Sequence, residues 1–182
     1  MTEILHQLEP HALSPEASAV IVGSEVDVNP NVQRAIDVEH AIDPEGVLPE
    51  VEIVPDPAYR TPSGRLVAQQ SLIMHNGNQV GKCTVITEKK HKTRWFNGIE
   101  VDTKGQGFGS AAYKAAIVDA MGEGLDFQTH DYSQSASAAQ VWQRLAECGV
   151  ATIERPFTPA GGGRYDGKYV VKSAETLHAK QE

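Results

Sequence analysis

The stretch that decides how this chain is read runs Arg94–Trp–Phe–Asn–Gly–Ile–Glu–Val101, then Asp–Thr–Lys104–Gly–Gln–Gly–Phe–Gly109, then Ser110–Ala–Ala–Tyr–Lys–Ala–Ala–Ile–Val–Asp–Ala–Met121. The first part has strand composition. The last is dominated by alanine and straight-chain residues and predicts a helix. Between them lies a glycine-rich turn. Strand, glycine turn and helix in that order have a physical use. Missing side chains let a ligand approach the backbone, and the unpaired amides of a first helical turn point at any phosphate placed there.

Two common phosphate loops do not fit. A Walker loop needs a Gly–Lys–Ser/Thr ending, and none follows. A dinucleotide fingerprint needs Gly–x–Gly–x–x–Gly, whereas Gly105, Gly107 and Gly109 are spaced by two and sit in the middle of the chain. The spacing of Lys104, Gly107 and Gly109 instead resembles the acyl-CoA loop of the GNAT acetyltransferase superfamily, whose pattern is Arg/Gln–x–x–Gly–x–Gly/Ala. Lysine at the first position keeps the charge and loses the planar fork.

Composition sets the outer bounds. The chain has 182 residues, 40% hydrophobic and 22% charged, enough for one domain with a proper core. A formal net charge of −8 argues against a nucleic-acid binder that works through its whole surface. The two cysteines, Cys83 and Cys148, lie in largely apolar segments and read as buried thiols of a reducing compartment, not as a disulfide or metal pair. His6, His11 and His40 are scattered without metal-ligand spacing, so no metal is expected. There is no apolar run near the roughly 18 residues of a membrane span and no basic-then-apolar leader, which predicts a cytoplasmic chain with no membrane partner.

Residues 1–60 are read as an N-terminal extension packed on a domain formed by 61–182. Ser14–Pro–Glu can open a short helix, and Ala19–Val–Ile–Val22 is a buried strand or helix fragment. Asn31–Ile42 predicts a helix with a partial apolar stripe of Val32, Ala35, Ile36 and Ile42, stopped at Asp43–Pro–Glu–Gly46. The stretch Val47–Pro62, with its four prolines, reads as extended chain containing an edge strand near Val51–Val54. This front segment is also where a second copy or another protein would dock.

From Leu66 the signal sharpens. Leu66–His75 and Gln79–Thr87 flank Asn76–Gly77, the strongest short-range hairpin signal. A two-residue turn there sets Ile73 opposite Val80, Leu72 opposite Gly81 and Ala68 opposite Val85. After the glycine loop and its helix come a short strand over Leu125–Asp131 and an amphipathic helix from Ala138 to Cys148, with Val141, Leu145 and Cys148 on one face. Ala151–Phe157 and Lys168–Ser173 then pair around a long Thr158–Gly167 turn.

That order, antiparallel strands, glycine loop, helix, strand, helix and closing strand pair, resembles the GNAT domain over about residues 64–173. The resemblance implies an α/β fold of mixed α+β type, with a central, mostly antiparallel sheet flanked by helices. It implies an N-acetyltransferase that uses acetyl-CoA as cosubstrate and a primary amine as acceptor. It also implies that the strand before the loop and the strand after its helix splay apart, here between Phe96–Val101 and Leu125–His130, and admit the pantetheine arm. Cofactor contacts would come from Ile99 and Val101 on the strand and from Lys104, Gly105, Gln106, Gly107, Phe108 and Gly109 in the loop.

For the chemistry, Glu100 and Asp102 at the end of the third strand are the first candidates to take the amine proton, directly or through water. His130 and Asp131 are the second, and Tyr132 is the nearest hydroxyl. The family often carries a tyrosine near the end of its last helix that protonates the departing thiolate; counting back from Gly149–Val150 puts Leu145 there. A GNAT-fold binding or structural protein without catalysis is therefore the alternative. Arg164, in the closing turn, is placed to meet an acidic acceptor.

Overall fold

The computed structural model describes residues 29–63, 66–130 and 134–174. Its centre is one eight-stranded mixed sheet whose strands lie in the order Glu52–Ser63 (β1), Leu66–His75 (β2), Asn78–Glu88 (β3), Thr93–Val101 (β4), Asp126–Gln128 (β5), Arg164–Val171 (β8) and Gln134–Ser135 (β6), with Ala151–Gly161 (β7) paired to β8. Helices pack against it, so the architecture is the mixed α/β one expected, with a mostly antiparallel sheet. Ala19–Val22, the histidines before residue 29 and the Ser14 helix start lie outside the described residues.

Helix α1 (Pro30–Ile42) starts where Asn29 Oδ1 accepts from Asn31 N at 2.9 Å and proline occupies the first turn. Its buried face is Val38, Ala41 and Ile42, so of the stripe read from sequence Ile42 is buried while Val32 is 51% and Ile36 39% exposed. Arg34 accounts for the rotation. It lies on the inward face, and its guanidinium donates to the Lys172 and Val150 carbonyl oxygens at 3.0 and 3.2 Å. A cation that satisfies two carbonyls belongs inside, and it turns Val32 and Ile36 toward an open groove against α2 (Phe108–Gly122) and β1.

β1 (Glu52–Ser63) is the sheet edge and runs across position 60, so the residues on either side of it belong to one ladder with β2 (Leu66–His75). Its prolines suit an edge, where missing N–H donors cost no ladder bonds. β2 and β3 (Asn78–Glu88) form the expected hairpin, with φ of 49° at Asn76 and 76° at Gly77 as a primed turn requires. The register differs by one residue from the sequence reading. Met74 pairs with Gln79, but Ile73 pairs with Gly81, Leu72 with Lys82 and Ala68 with Ile86. Val80 is thus an extra residue, and its carbonyl accepts from Asp102 N at 2.9 Å. The bulge spends one residue of β3 to hold the end of β4.

A second bulge lies on β4 (Thr93–Val101). Thr84 pairs with Gly98 and Val85 with Phe96, leaving Asn97 unopposed. It shifts the alternation, so that Phe96 before it and Ile99 after it both pack on the core. Arg94 ties β4 to α2 (Phe108–Gly122) by two ion pairs of 2.7 Å, to Asp119 and Glu123. Alanines 111, 112, 116 and 120 let α2 lie close to its neighbours, each at most 5% exposed.

β5 is only Asp126–Gln128, β6 is Gln134–Ser135, and α3 (Ala136–Glu147) starts on Ser135, whose Oγ accepts from Ala138 N at 3.2 Å. Trp142 and Leu145 of α3 are fully buried beside Phe127, which stacks on Trp142 at 6.1 Å. Each such side chain contributes about 1.5–3 kcal/mol of burial. Two readings are corrected. Cys148 is exposed, because α3 ends at Glu147 and Cys148 is its cap, whereas Cys83 is buried. The closing hairpin is not a long loop: β7 (Ala151–Gly161) and β8 (Arg164–Val171) pair nearly to the tip, since Gly161, Gly162 and Gly163 all take positive φ and turn the chain tightly.

Candidate active site

The cleft follows from a broken ladder. β4 and β5 run parallel but pair only at Thr93–Asp126 and Arg94–Phe127. Beyond that β5 leaves, and Thr129 shows why. Its amide donates to the Tyr169 carbonyl at 3.0 Å, its hydroxyl accepts from Tyr169 N at 3.1 Å and donates to the Gly167 carbonyl at 3.2 Å. Thr129 is 2% exposed, so these bonds commit β5 to β8. β4 stays with β3. Residues 96–101 of β4 are left without a β5 partner, where the splay was expected.

The opening is a cleft of about 400 Å³. Phe96, Asn97, Gly98, Ile99 and Glu100 form one wall; His130, Gln134, Ser135 and Arg164 contribute another, with Tyr113 from α2 and Ala138 from α3. Lys82 and Cys83 line it from β3. Burial pushes the Cys83 thiol up to about 12, so it stays protonated and is no nucleophile near neutral pH.

The wall strand runs directly into the glycine loop. Gly105 and Gly107 take φ of 82° and 79°, conformations that L side chains rarely adopt. Gly107 is the α2 cap and gives no side-chain hydrogen bond; the first helical bond is Ala111 N to its carbonyl at 2.9 Å. The amides of Phe108, Gly109 and Ser110 therefore have no intrahelical carbonyl. A Cβ at Gly109 would meet nothing within 4 Å, so the approach over it is open. At Gly107 a Cβ would lie 2.7 Å from Leu48 Cδ2 and 3.2 Å from Pro49 Cδ. The loop is open on the Gly109 side and closed on the other.

What closes it is a strap over residues 43–50. Asp43 Oδ1 accepts from Val47 N and Leu48 N at 2.8 and 3.1 Å, and its Oδ2 meets Lys114 Nζ of α2 at 3.2 Å. Burial acts to raise the Asp43 pKa, but the two amides and the Lys114 ammonium outweigh it and hold the carboxyl below its ordinary value. At the far end His75 Nδ1 donates to the Glu50 carbonyl at 2.7 Å, and the His75 ring lies 5.3 Å from Phe108. The prolines and the helix stop at Asp43 were legible in the sequence; their role as a backing for the loop was not.

The sequence-derived residues are distributed as follows. Ile99, Glu100 and His130 meet in the cleft. Glu100 is exposed and pairs with Lys82 at 3.1 Å; the His130 ring lies 5.9 Å from Trp95. Val101 packs against the core. β4 ends there, so strand alternation does not carry on to Asp102, which is exposed in the following bend. Lys104, Gly105 and Gln106 are exposed, and Phe108 is buried. Asp131 and Tyr132 lie outside the described residues. Arg164 lines the cleft from β8. Tyr113 escaped notice in the sequence because nothing in an alanine-rich helix says which residue faces a gap between strands.

Among the described residues no group of three or more His, Cys, Asp or Glu side chains is placed to hold a metal, and no helix is long and apolar enough to cross a membrane.

No family model matches the chain, and no curated protein matches it. Solved structures that resemble it include an IAA acetyltransferase from Bacillus cereus, at 16% identity and TM-score 0.43 over 67% of this chain and 97% of that one. Others are the spermidine N-acetyltransferase from Vibrio cholerae (14%, 0.44, 64% and 70%) and the ribosomal-protein-S18-alanine N-acetyltransferase from Escherichia coli (22%, 0.40, 61% and 71%). Likenesses this distant say nothing of what this chain acts on.

Proposed function

We propose that this protein is an acyl-CoA-dependent N-acyltransferase, moving an acetyl group from acetyl-CoA to a primary amine. One observation carries the reading: the strand that leads into an open, glycine-started helix is the same strand whose edge is freed by the splay. A ligand with a pyrophosphate at one end and an amide-bearing arm at the other matches that pairing of features. The amides of Phe108 and Gly109 would receive the pyrophosphate, with Lys104 adding charge at the rim. The free edge of β4 around Ile99 and Val101 would bond the amides of the arm and set the thioester in the cleft.

Aminolysis of a thioester then needs a neutral amine and a polarised carbonyl. Glu100, a carboxylate that lines the cleft, would take the amine proton, directly or through one water, with His130 as the second choice. Asp102, in the bend beyond β4, is the fallback base only if Glu100 does not serve, and Tyr132 is the nearest hydroxyl read from sequence.

A second reading has its own observation. Leu145, where a catalytic tyrosine would stand, is fully buried and has no proton to give, which suits a fold kept for binding. Thiol release from acetyl-CoA, followed across a panel of primary amines, decides between them. Amine-dependent release supports the transferase; tight acetyl-CoA binding with no release on any amine supports the binding protein.

A further inference from the structure

Most charged and polar groups around the cleft are already engaged. Lys82 pairs with Glu100, and His130, Gln134 and Arg164 have partners within the protein. Tyr113 differs. It is 5% exposed and wedged edge-on against Phe96 at 5.0 Å, Phe127 at 6.5 Å and Trp142 at 6.2 Å. The polar group beside its hydroxyl is the Trp142 indole N–H. Among the described residues the buried polar atoms left without a partner are Thr93 Oγ1, Trp95 Nε1 and Trp142 Nε1, not the Tyr113 oxygen. The Tyr113 side chain is thus nearly buried yet lines the cleft, and its oxygen is not one of the sealed, unpartnered atoms.

The neighbouring indole fixes what that oxygen can do. Trp142 Nε1 is a donor only, and its N–H beside the phenolic oxygen favours the ionised phenol. Facing a donor, the phenolic oxygen can only accept on that side, and its own proton is left for an acceptor in the cleft.

Resting on the transferase reading, we propose that the Tyr113 hydroxyl donates a hydrogen bond to the thioester carbonyl oxygen of acyl-CoA in the cleft. When the amine nitrogen bonds to the carbonyl carbon, the π pair moves onto that oxygen. When the oxygen pair returns, the C–S bond breaks and the sulfur leaves as thiolate. The nitrogen proton goes to Glu100 or water. Tyr113 keeps its proton throughout and meets the charge only while it is on oxygen. Burial pushes the phenol up to about 12, which makes it a poor acid and a constant donor across the working pH range. A donor aimed at charge that develops in the transition state acts on kcat more than on binding.

The test is Tyr113→Phe, which keeps the ring contacts and removes the hydroxyl. Isotope-edited infrared spectroscopy of carbonyl-labelled acetyl-CoA bound to the protein needs no amine. The parent should move the thioester carbonyl band to lower frequency, and Y113F should return it to the free position with acetyl-CoA affinity within about twofold. With an amine in hand, kcat should fall on the order of 100-fold with KM for acetyl-CoA unchanged, the size of losing one such donor. A parent that binds acetyl-CoA while Y113F keeps the shifted band, or the parental kcat, overturns this inference alone. A parent that does not bind acetyl-CoA overturns the transferase reading and this inference with it.

Discussion

Two glycines two residues apart should respond in opposite ways, and the contrast separates ligand from fold. Gly107 looks like the natural probe of a phosphate loop, but its φ is 79° and its Cβ would press on Leu48 and Pro49. Gly107→Ala should cost about 1–2 kcal/mol for the left-handed backbone. The Leu48 methyl can swing aside, while the Pro49 ring can yield less, so about 2 kcal/mol in total is expected. At roughly 2–4 °C per kcal/mol for a chain of this size, Tm should fall by about 4–8 °C. Gly109 has no positive φ and open space at its Cβ. Gly109→Val should leave Tm within about 2 °C, since a surface change without a clash stays within roughly 0.5 kcal/mol. It should nonetheless cover the amides where a pyrophosphate would sit. Losing even one charge-assisted bond costs about 1.5–3 kcal/mol, or roughly 10- to 150-fold in Kd. Calorimetric titration with acetyl-CoA beside a thermal melt reads both quantities. A Gly109→Val protein that melts like the parent and binds acetyl-CoA within twofold of it would refute the placement of the phosphate.

Other consequences are smaller or narrower. Lys104→Ala removes an exposed charge and should weaken acetyl-CoA by only about threefold, near the 0.5–1 kcal/mol of an exposed ion contact; a loss larger than that of Gly109→Val would mean the side chain holds the ligand. Glu100→Gln should lower kcat by about 100-fold with parental acetyl-CoA affinity and remove a limb of the rate–pH profile, whereas Asp102→Asn, beyond the end of β4, should keep parental kinetics. Reversed results would move the base to the bend. The depressed Asp43 carboxyl stabilises the fold fully above its unfolded pKa near 3.9, and that support is lost as pH falls through the lower folded value. Thermal melts from pH 6 downward should therefore show a shallower acid decline for Asp43→Asn than for the parent, with weaker acetyl-CoA binding at pH 7 because the strap behind Gly107 is loosened. Identical acid slopes would show that Asp43 does not carry this linkage.

The residues that made the fold legible are local ones. Asn76–Gly77 announced its hairpin and the alanines after Gly109 their helix, because each acts through its own backbone. What stayed hidden depends on partners distant in the chain. Val80 and Asn97 are ordinary strand residues, and only pairing reveals them as the extra residues that shift register. Arg34 turned α1 because carbonyls more than a hundred residues away needed a donor. The splay was placed through resemblance, while its cause, Thr129 bonding to β8, carries no sequence signal at all. Asp43 and Tyr113 are the same lesson at the site. One reads as a helix stop and the other as a helix residue until the strap and the cleft are seen around them.

On the proposed function, the glycine loop and the freed edge of β4 would hold two ends of one ligand. Calorimetry of the full chain with acetyl-CoA and, separately, with ADP tests it most directly, because ADP offers the pyrophosphate without the arm. Saturable binding of acetyl-CoA at least tenfold tighter than ADP is expected, the margin being what the cleft adds. No binding of acetyl-CoA at millimolar concentration, or equal affinity for the two, would contradict it.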